Sequence, residues 1–226
     1  KIGIIGLGNM GMGIAKNVIK SGYTAMGFDL REECLKEIVS HGGEAAESVS
    51  QVGKLSDVVF VMVMNGNQVK EVVTQLSPGL KGRGTIIITA TITPEEVKEA
   101  YNIAQANNIN MVDSPVSGGL QGAHEGTLTL MTAADEKTFQ DCKNILESIS
   151  KNMIHVGTNI GDGQTVKASL QAFIGATFTA IFESLVLGSK AGIDGQTLYD
   201  VFSTSGVSSP LFKNCAKLIM DRKFEN

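Results

Sequence analysis

The 226-residue chain has no tryptophan and only 4 prolines, and aromatic residues make up 5% of it. So few prolines leave no room for a proline-rich linker between domains. Its 3 cysteines, Cys34, Cys142 and Cys215, are odd in number, lie far apart and form no CxxC. That spacing excludes a disulfide framework and a cysteine-built zinc site, and it fits a reducing compartment, so a cytoplasmic location is expected. The histidines, His41, His124 and His155, are scattered, and no metal site is expected. Positive charge is scarce as well: 19 Lys and Arg against 23 Asp and Glu give a formal net charge of -4. Nucleic acid is therefore not an expected partner, because its phosphates require a basic face. The chain opens at Lys1 directly on a strand-like run, with neither an initiator Met nor a signal peptide, and it closes on the charged stretch MDRKFEN. A fragment is the expectation. Charge is missing most conspicuously from residues 168–189, where only Glu183 carries any. The stretch is long enough to cross a membrane. Gln171, Glu183 and several Ser, Thr and Gly within it predict instead the buried core helix of a soluble protein, with no membrane partner.

Up to about residue 157, apolar runs alternate with amphipathic helical segments. KIGIIG (1–6), TAMGFDL (24–30), DVVFVMVM (57–64) and GTIIITAT (84–91) read as strands, the last two as continuous apolar runs covered on both faces. Residues 10–21, 31–43, 66–76 and 93–108 read as helices. The last of these starts on Thr93 as cap, Pro94 in the first helical position and two glutamates in the first turn. Strands over 109–113, 127–133 and 152–157 follow, with a glycine loop after the first and a helix over 135–150. This alternation predicts an α/β fold with a doubly wound, mainly parallel sheet. Beyond residue 161 only helices are expected, at 164–191, 194–203 and 209–221. A boundary is placed at residue 160, giving a sheet domain over 1–160 and an all-α domain over 161–226.

Three stretches carry chemistry. GLGNMG places Gly6, Gly8 and Gly11 in the GxGxxG spacing between a strand and a helix, as a dinucleotide pyrophosphate requires. Asp29 ends the next strand about 20 residues on, where a carboxylate hydrogen-bonds the adenine ribose and repels a 2′-phosphate. NAD is therefore expected over NADP, with Arg31 as the feature that would favour NADP. Ligands lie outside the carboxyl ends of the strands in such a sheet, which brings Met64, Asn65 and Thr91 to the cofactor. DSPVSGG (113–119) gathers a hydroxyl and backbone N–H groups at Ser117, Gly118 and Gly119. They form either a nest for a carboxylate or a loop that needs glycine for positive φ; Asp113 and Ser114 are read as shaping the turn. GDGQTVKASLQ (161–171) opens the long apolar helix with Lys167 in its first turns and Gln171 one turn later. Burial there disfavours the charged form of Lys167 and suits it to proton transfer.

Taken together, GLGNMG, DSPVSGG and GDGQTVKASLQ, in this order, closely resemble the β-hydroxyacid dehydrogenases, the family of 3-hydroxyisobutyrate dehydrogenase, tartronate semialdehyde reductase and threonate dehydrogenase. The resemblance covers the whole chain. It implies an N-terminal Rossmann domain, a C-terminal helical domain through which dimers or tetramers form, and hydride transfer between NAD(P) and a small 3-hydroxy acid. It also implies residue roles. Gly6, Gly8, Asn9, Met10 and Gly11 would hold the pyrophosphate, and Met64, Asn65 and Thr91 would line the nicotinamide half. Ser117, Gly118 and Gly119 would bind the substrate carboxylate, with Lys167 as general acid/base. Gln171 departs from the asparagine common at that position and, with NGNQVKEVV (65–73), resembles the threonate dehydrogenase branch. A threonate-like sugar acid is therefore the expected substrate, with 3-hydroxyisobutyrate and tartronate semialdehyde as alternatives. The resembling chains run some tens of residues further. Relatives that act as interaction modules or reduce imines lack the lysine, and its retention argues against both. The charge pattern offers no basic cluster for a sugar phosphate, which argues against a 6-phosphogluconate dehydrogenase.

Overall fold

The computed structural model describes residues 1–80 and 82–223. It divides into two compact units, Lys1–Ala168 and Ser169–Asn226.

The first unit is built on one sheet. Its strands are β1 (Ile2–Ile5), β2 (Ala25–Phe28), β3 (Glu44–Ala45), β4 (Val58–Val61), β5 (Thr85–Ile88), β6 (Asn110–Asp113), β7 (Val116–Ser117), β8 (Leu128–Ala133) and β9 (Ser150–Gly157). They lie in the order β3-β2-β1-β4-β5-β6-β8-β7, with β9 beside β8. Every pairing from β3 to β6 is parallel; β8 runs antiparallel to β6 and β7 and parallel to β9. Successive side chains of a strand point to opposite faces, and here both faces are buried. Ile4, Phe60 and Ile87 enter one core while Ile5, Val59, Val61, Ile86 and Ile88 enter the other. That double burial is why these strands read as unbroken apolar runs. The chain leaves β1 for β2 on one side and returns to β4 on the other, so the carboxyl ends of β1 and β4 flank the topological switch point.

The helices of this unit are α1 (Asn9–Lys20), α2 (Glu32–Ser40), α3 (Val49–Leu55), α4 (Gly66–Leu80), α5 (Pro94–Ala106), α6 (Gly119–Glu125) and α7 (Glu136–Glu147). Two of them, α3 and α6, fall in stretches where the sequence pattern predicts none; both are 7 residues long, too short for a helical period to show. The start of α5 is as expected. Thr93 Oγ1 accepts the Glu96 N–H at 3.2 Å, Glu96 Oε2 accepts the Thr93 N–H at 2.9 Å, and Pro94 follows the cap. Thr93→Ala should therefore cost about 1 kcal/mol of stability, checked by urea unfolding; an unchanged midpoint would contradict the cap.

Helix α8 (Asp162–Lys190) starts in the first unit and supplies most of the second, together with α9 (Gly195–Thr204) and α10 (Pro210–Met220). The second unit has a small core of Ile181, Leu185, Phe212 and Ala216, with Leu198, Tyr199 and Phe202 packed against it. The expectation of a buried core helix over residues 168–189 is corrected. Phe173 is 69% exposed and Leu187 is 74% exposed, and Ile181 and Leu185 are the buried residues of that stretch. In the second unit α9 and α10 offer a partner to only one stripe of an all-round apolar helix. By length and composition α8 would also be able to cross a membrane.

Candidate active site

Each glycine of the first loop answers a different steric demand. Gly6 has φ +87, and a side chain on it would strike the Met62 carbonyl oxygen. A methyl on Gly11 would run into the Gly6 carbonyl, so α1 packs straight onto the loop. Gly8 is the N-cap of α1. A Cβ added there would meet only Arg31 Nη2, at 3.5 Å, so the backbone face over Gly8 stays accessible. The exposed Asn9 and half-buried Met10 begin the helix, whose unpaired N–H groups and dipole favour an anion. A dinucleotide pyrophosphate fits this cradle.

Asp29, just beyond β2, is tied to the same loop. Its Oδ2 accepts the Leu7 N–H at 2.7 Å, and its two oxygens accept Arg31 Nε at 2.9 Å and Nη2 at 3.1 Å. Burial pushes the Asp29 carboxyl up. The hydrogen bonds from Arg31 and the Leu7 N–H outweigh it and leave the pKa below the ordinary value. Arg31, the residue that could meet a 2′-phosphate, is thus held by Asp29 in a forked pair. Two exposed apolar side chains stand past the ends of β2 and β4, the strands on either side of β1: Leu30 is 90% and Met64 is 85% exposed. No motif in the sequence points to Leu30. Asn65 does turn work, its Oδ1 accepting the Gln68 N–H at the start of α4 at 3.0 Å. Thr91, past the end of β5, is exposed.

The second loop lies on the other side of the sheet from β2. Ser117 pairs with Thr129 in β7–β8. Gly118 at φ +132 and Gly119 at φ +61 adopt backbone conformations that favour glycine, and both are exposed. The short α6 that follows is anchored on α1. Asn17 Nδ2 donates to Ala123 O at 2.8 Å, and the missing side chain of Gly13 lets the Ala123 backbone come close. The glycine loop and the Ser117–Gly119 loop are therefore held by interlocked helices. Lys167 reaches the second loop from α8: its Nζ donates to Val116 O at 2.8 Å. The lysine is buried, and burial lowers its pKa. Gln171 is exposed one helical turn further along α8, in the second unit.

Comparison with known proteins agrees with this geometry. Residues 1–157 match the model of the NAD binding domain of 6-phosphogluconate dehydrogenase. Residues 161–226 match the model described as NAD-binding of NADP-dependent 3-hydroxyisobutyrate dehydrogenase. The chain belongs to the β-hydroxyacid dehydrogenase family. It is accordingly an NAD(P)-dependent oxidoreductase of the hydroxy-acid class. It is 35% identical to 2-(hydroxymethyl)glutarate dehydrogenase of Eubacterium barkeri over 99% of this chain and 75% of that one. It is 31% identical to L-threonate dehydrogenase of Cupriavidus necator over 94% of this chain and 73% of that one. Among solved structures, 3-hydroxyisobutyrate dehydrogenase from Salmonella typhimurium superposes with a TM-score of 0.87 at 30% identity, over 99% of this chain and 79% of that one.

Two further residues stand at the opening of α8. Asp113, read from the sequence as shaping a turn, is fully buried, as is Gln164. Burial pushes the Asp113 carboxyl up to about 6, although hydrogen bonds from Gln164 and Gly161 pull the other way. Linear spacing carries no signal of their meeting, because they stand far apart in the chain.

Proposed function

We propose that the protein oxidises a threonate-like 3-hydroxy acid with NAD, and that Lys167 carries the proton. The first unit would bind the cofactor, and the helical segment from residue 161 would complete the substrate site and support a homo-oligomer in the cytoplasm. The observation that carries the reading is Lys167. It is a buried lysine whose Nζ sits 2.8 Å from Val116 O, next to Ser117, Gly118 and Gly119.

The nicotinamide, when bound, exchanges a hydride with the carbinol carbon. The residues do the rest. Gly6, Gly8, Asn9, Met10 and Gly11 receive the pyrophosphate at the start of α1. Asp29 accepts from the adenine ribose hydroxyls. Met64, Asn65 and Thr91 border the nicotinamide half. Ser117 and the N–H groups of Gly118 and Gly119 hold the substrate carboxylate. As the C–H bond of the carbinol gives up its hydride, neutral Lys167 takes the hydroxyl proton and becomes an ammonium, leaving a carbonyl. In reverse the ammonium returns that proton to the new alkoxide. Gln171 is assigned a hydrogen bond to a further substrate hydroxyl. The threonate reading rests on that glutamine and on the NGNQVKEVV stretch, and 3-hydroxyisobutyrate and tartronate semialdehyde are the alternatives.

The lowered pKa of Lys167 sets the sign of the pH dependence. Oxidation needs the neutral amine, so its turnover should rise as pH rises through the lowered lysine pKa. Reduction needs the ammonium and should fall over the same range. Initial rates in both directions across pH check this; limbs of the same sign would contradict a single acid/base at Lys167. The experiment that tests the reading as a whole is nicotinamide-coupled turnover with a panel of 3-hydroxy acids.

A further inference from the structure

Helix α8 begins in an unusual way. Its first turn is capped from another element: the carboxylate of Asp113, at the end of β6. Asp113 Oδ2 accepts the Gly161 N–H at 2.9 Å and the Gln164 N–H at 3.2 Å. The helix has an aspartate of its own at its start, Asp162, but that carboxylate accepts from the Asn159 N–H at 3.3 Å instead. A buried carboxylate with no cation bonded to it is costly unless several donors surround it. Here Gln164 Nε2 supplies another, at 2.9 Å from Asp113 Oδ1.

The same amide then reaches a third element. Gln164 Nε2 donates to Ala90 O at 3.0 Å, and Gln164 Oε1 accepts the Ile92 N–H at 3.1 Å. These two backbone groups flank Thr91, so the glutamine grips the segment after β5 on both sides of that residue. Gly163 completes the fit. A Cβ there would lie 2.6 Å from Met131 O and 2.8 Å from Asp113 O, so only glycine lets α8 sit this close to the ends of β6 and β8. Gly163, Gln164 and Lys167 are buried while Thr165, Val166 and Ala168 are exposed. Lys167 lies three positions after Gln164, close to one turn of 3.6, so both project from the sheet-facing side of α8.

We infer that Asp113 and Gln164 form a positioning clamp that locks the first turns of α8, and so Lys167, in register with the Ala90–Thr91–Ile92 segment of the cofactor cleft. Neither residue touches the reacting atoms. Asp113 holds the helix backbone, and Gln164 transmits that hold to the strand end where the nicotinamide half is placed. The inference rests on Lys167 as the proton carrier. It adds that the lysine's place relative to the cofactor is set by a side chain one turn before it, not by α8 alone.

Gln164→Met tests this, because it preserves side-chain length and removes every hydrogen bond of the amide. Turnover should fall roughly tenfold to a hundredfold, the usual penalty for an ångström-scale misplacement, while the substrate KM moves by less than about threefold. The alkaline rise of oxidation should also move to higher pH, because a loosened α8 lets water reach Lys167 and restores its charged form. A merely structural glutamine would lower the melting temperature without moving that limb. A folded Gln164→Met enzyme with turnover within about twofold of the parent and an unmoved limb overturns the clamp. Lys167→Ala, assayed beside it, separates the two claims. An active Lys167→Ala enzyme defeats the proton-carrier reading, whereas an inactive one beside a fully active Gln164→Met defeats the clamp alone. Should Gln164→Met not fold, amide hydrogen exchange on the unaltered protein decides. The Ile92 N–H should exchange as slowly as those of β5, and fast exchange would overturn the inference.

Discussion

Lys167→Ala is expected to lose turnover by roughly 10²- to 10⁴-fold, the share a positioned acid–base group contributes. NADH affinity should stay close to the parent value. The two outcomes separate because the lysine and the cofactor loop stand on different supports. Lys167 reaches Val116 O from α8, whereas the glycine loop is shaped by contacts among Gly6, Gly11 and Met62. Truncation leaves the buried Val116 carbonyl without its lysine donor, so a stability loss of about 1–3 kcal/mol accompanies the change; thermal unfolding shows whether the assay temperature remains safe. Lys167→Arg removes that ambiguity. The guanidinium retains the charge and a donor but never gives up its proton in this pH range, so the variant should be folded and nearly inactive. NADH fluorescence titration and steady-state rates measure both effects. Near-parent turnover in either variant would end the assignment.

Asp29→Ala is the second large effect. The carboxylate accepts the Leu7 N–H and holds Arg31 in a forked pair. Its removal takes away the proposed ribose acceptor and frees the guanidinium beside the position a 2′-phosphate would occupy. Hydrogen bonds to charged groups contribute about 1.5–3 kcal/mol each. At about 1.4 kcal/mol per tenfold, the ratio of kcat/KM for NADP over NAD should rise roughly tenfold to a hundredfold. The comparison is made at one substrate concentration series with each cofactor. An unchanged ratio would mean that Asp29 serves the fold of the loop and not the choice of nucleotide.

Much of this architecture is legible in local pattern. GLGNMG announces the turn because three steric demands fall on one short segment. TPEE announces α5 because cap, proline and glutamates are all adjacent in the chain. DVVFVMVM announces a strand buried on both faces because its centre, Val59, Phe60 and Val61, is an unbroken apolar run. What escapes local pattern depends on partners distant in sequence. Asp113 looks like a turn residue until Gly161 and Gln164, at the opening of α8, donate three N–H bonds to it. Gln164 looks incidental between two glycines and a threonine until Ala90 and Ile92 are seen at its amide. The apolar stretch from 168 to 189 implies burial by composition, yet burial is a property of what packs on a helix, and only one stripe of α8 meets α9 and α10. Helices α3 and α6 are missed because seven residues cannot establish a period.

The central claim is that this chain passes a hydride from a 3-hydroxy acid to NAD through a site organised around Lys167. The most direct test is nicotinamide absorbance with the natural protein, NAD and a panel of threonate, erythronate, glycerate and 3-hydroxyisobutyrate. The prediction is reduction of NAD by at least one of them, with the polyhydroxylated acids turned over faster than 3-hydroxyisobutyrate. Binding of NAD with no reduction by any acid of the panel would contradict the account and favour a nucleotide-binding interaction module.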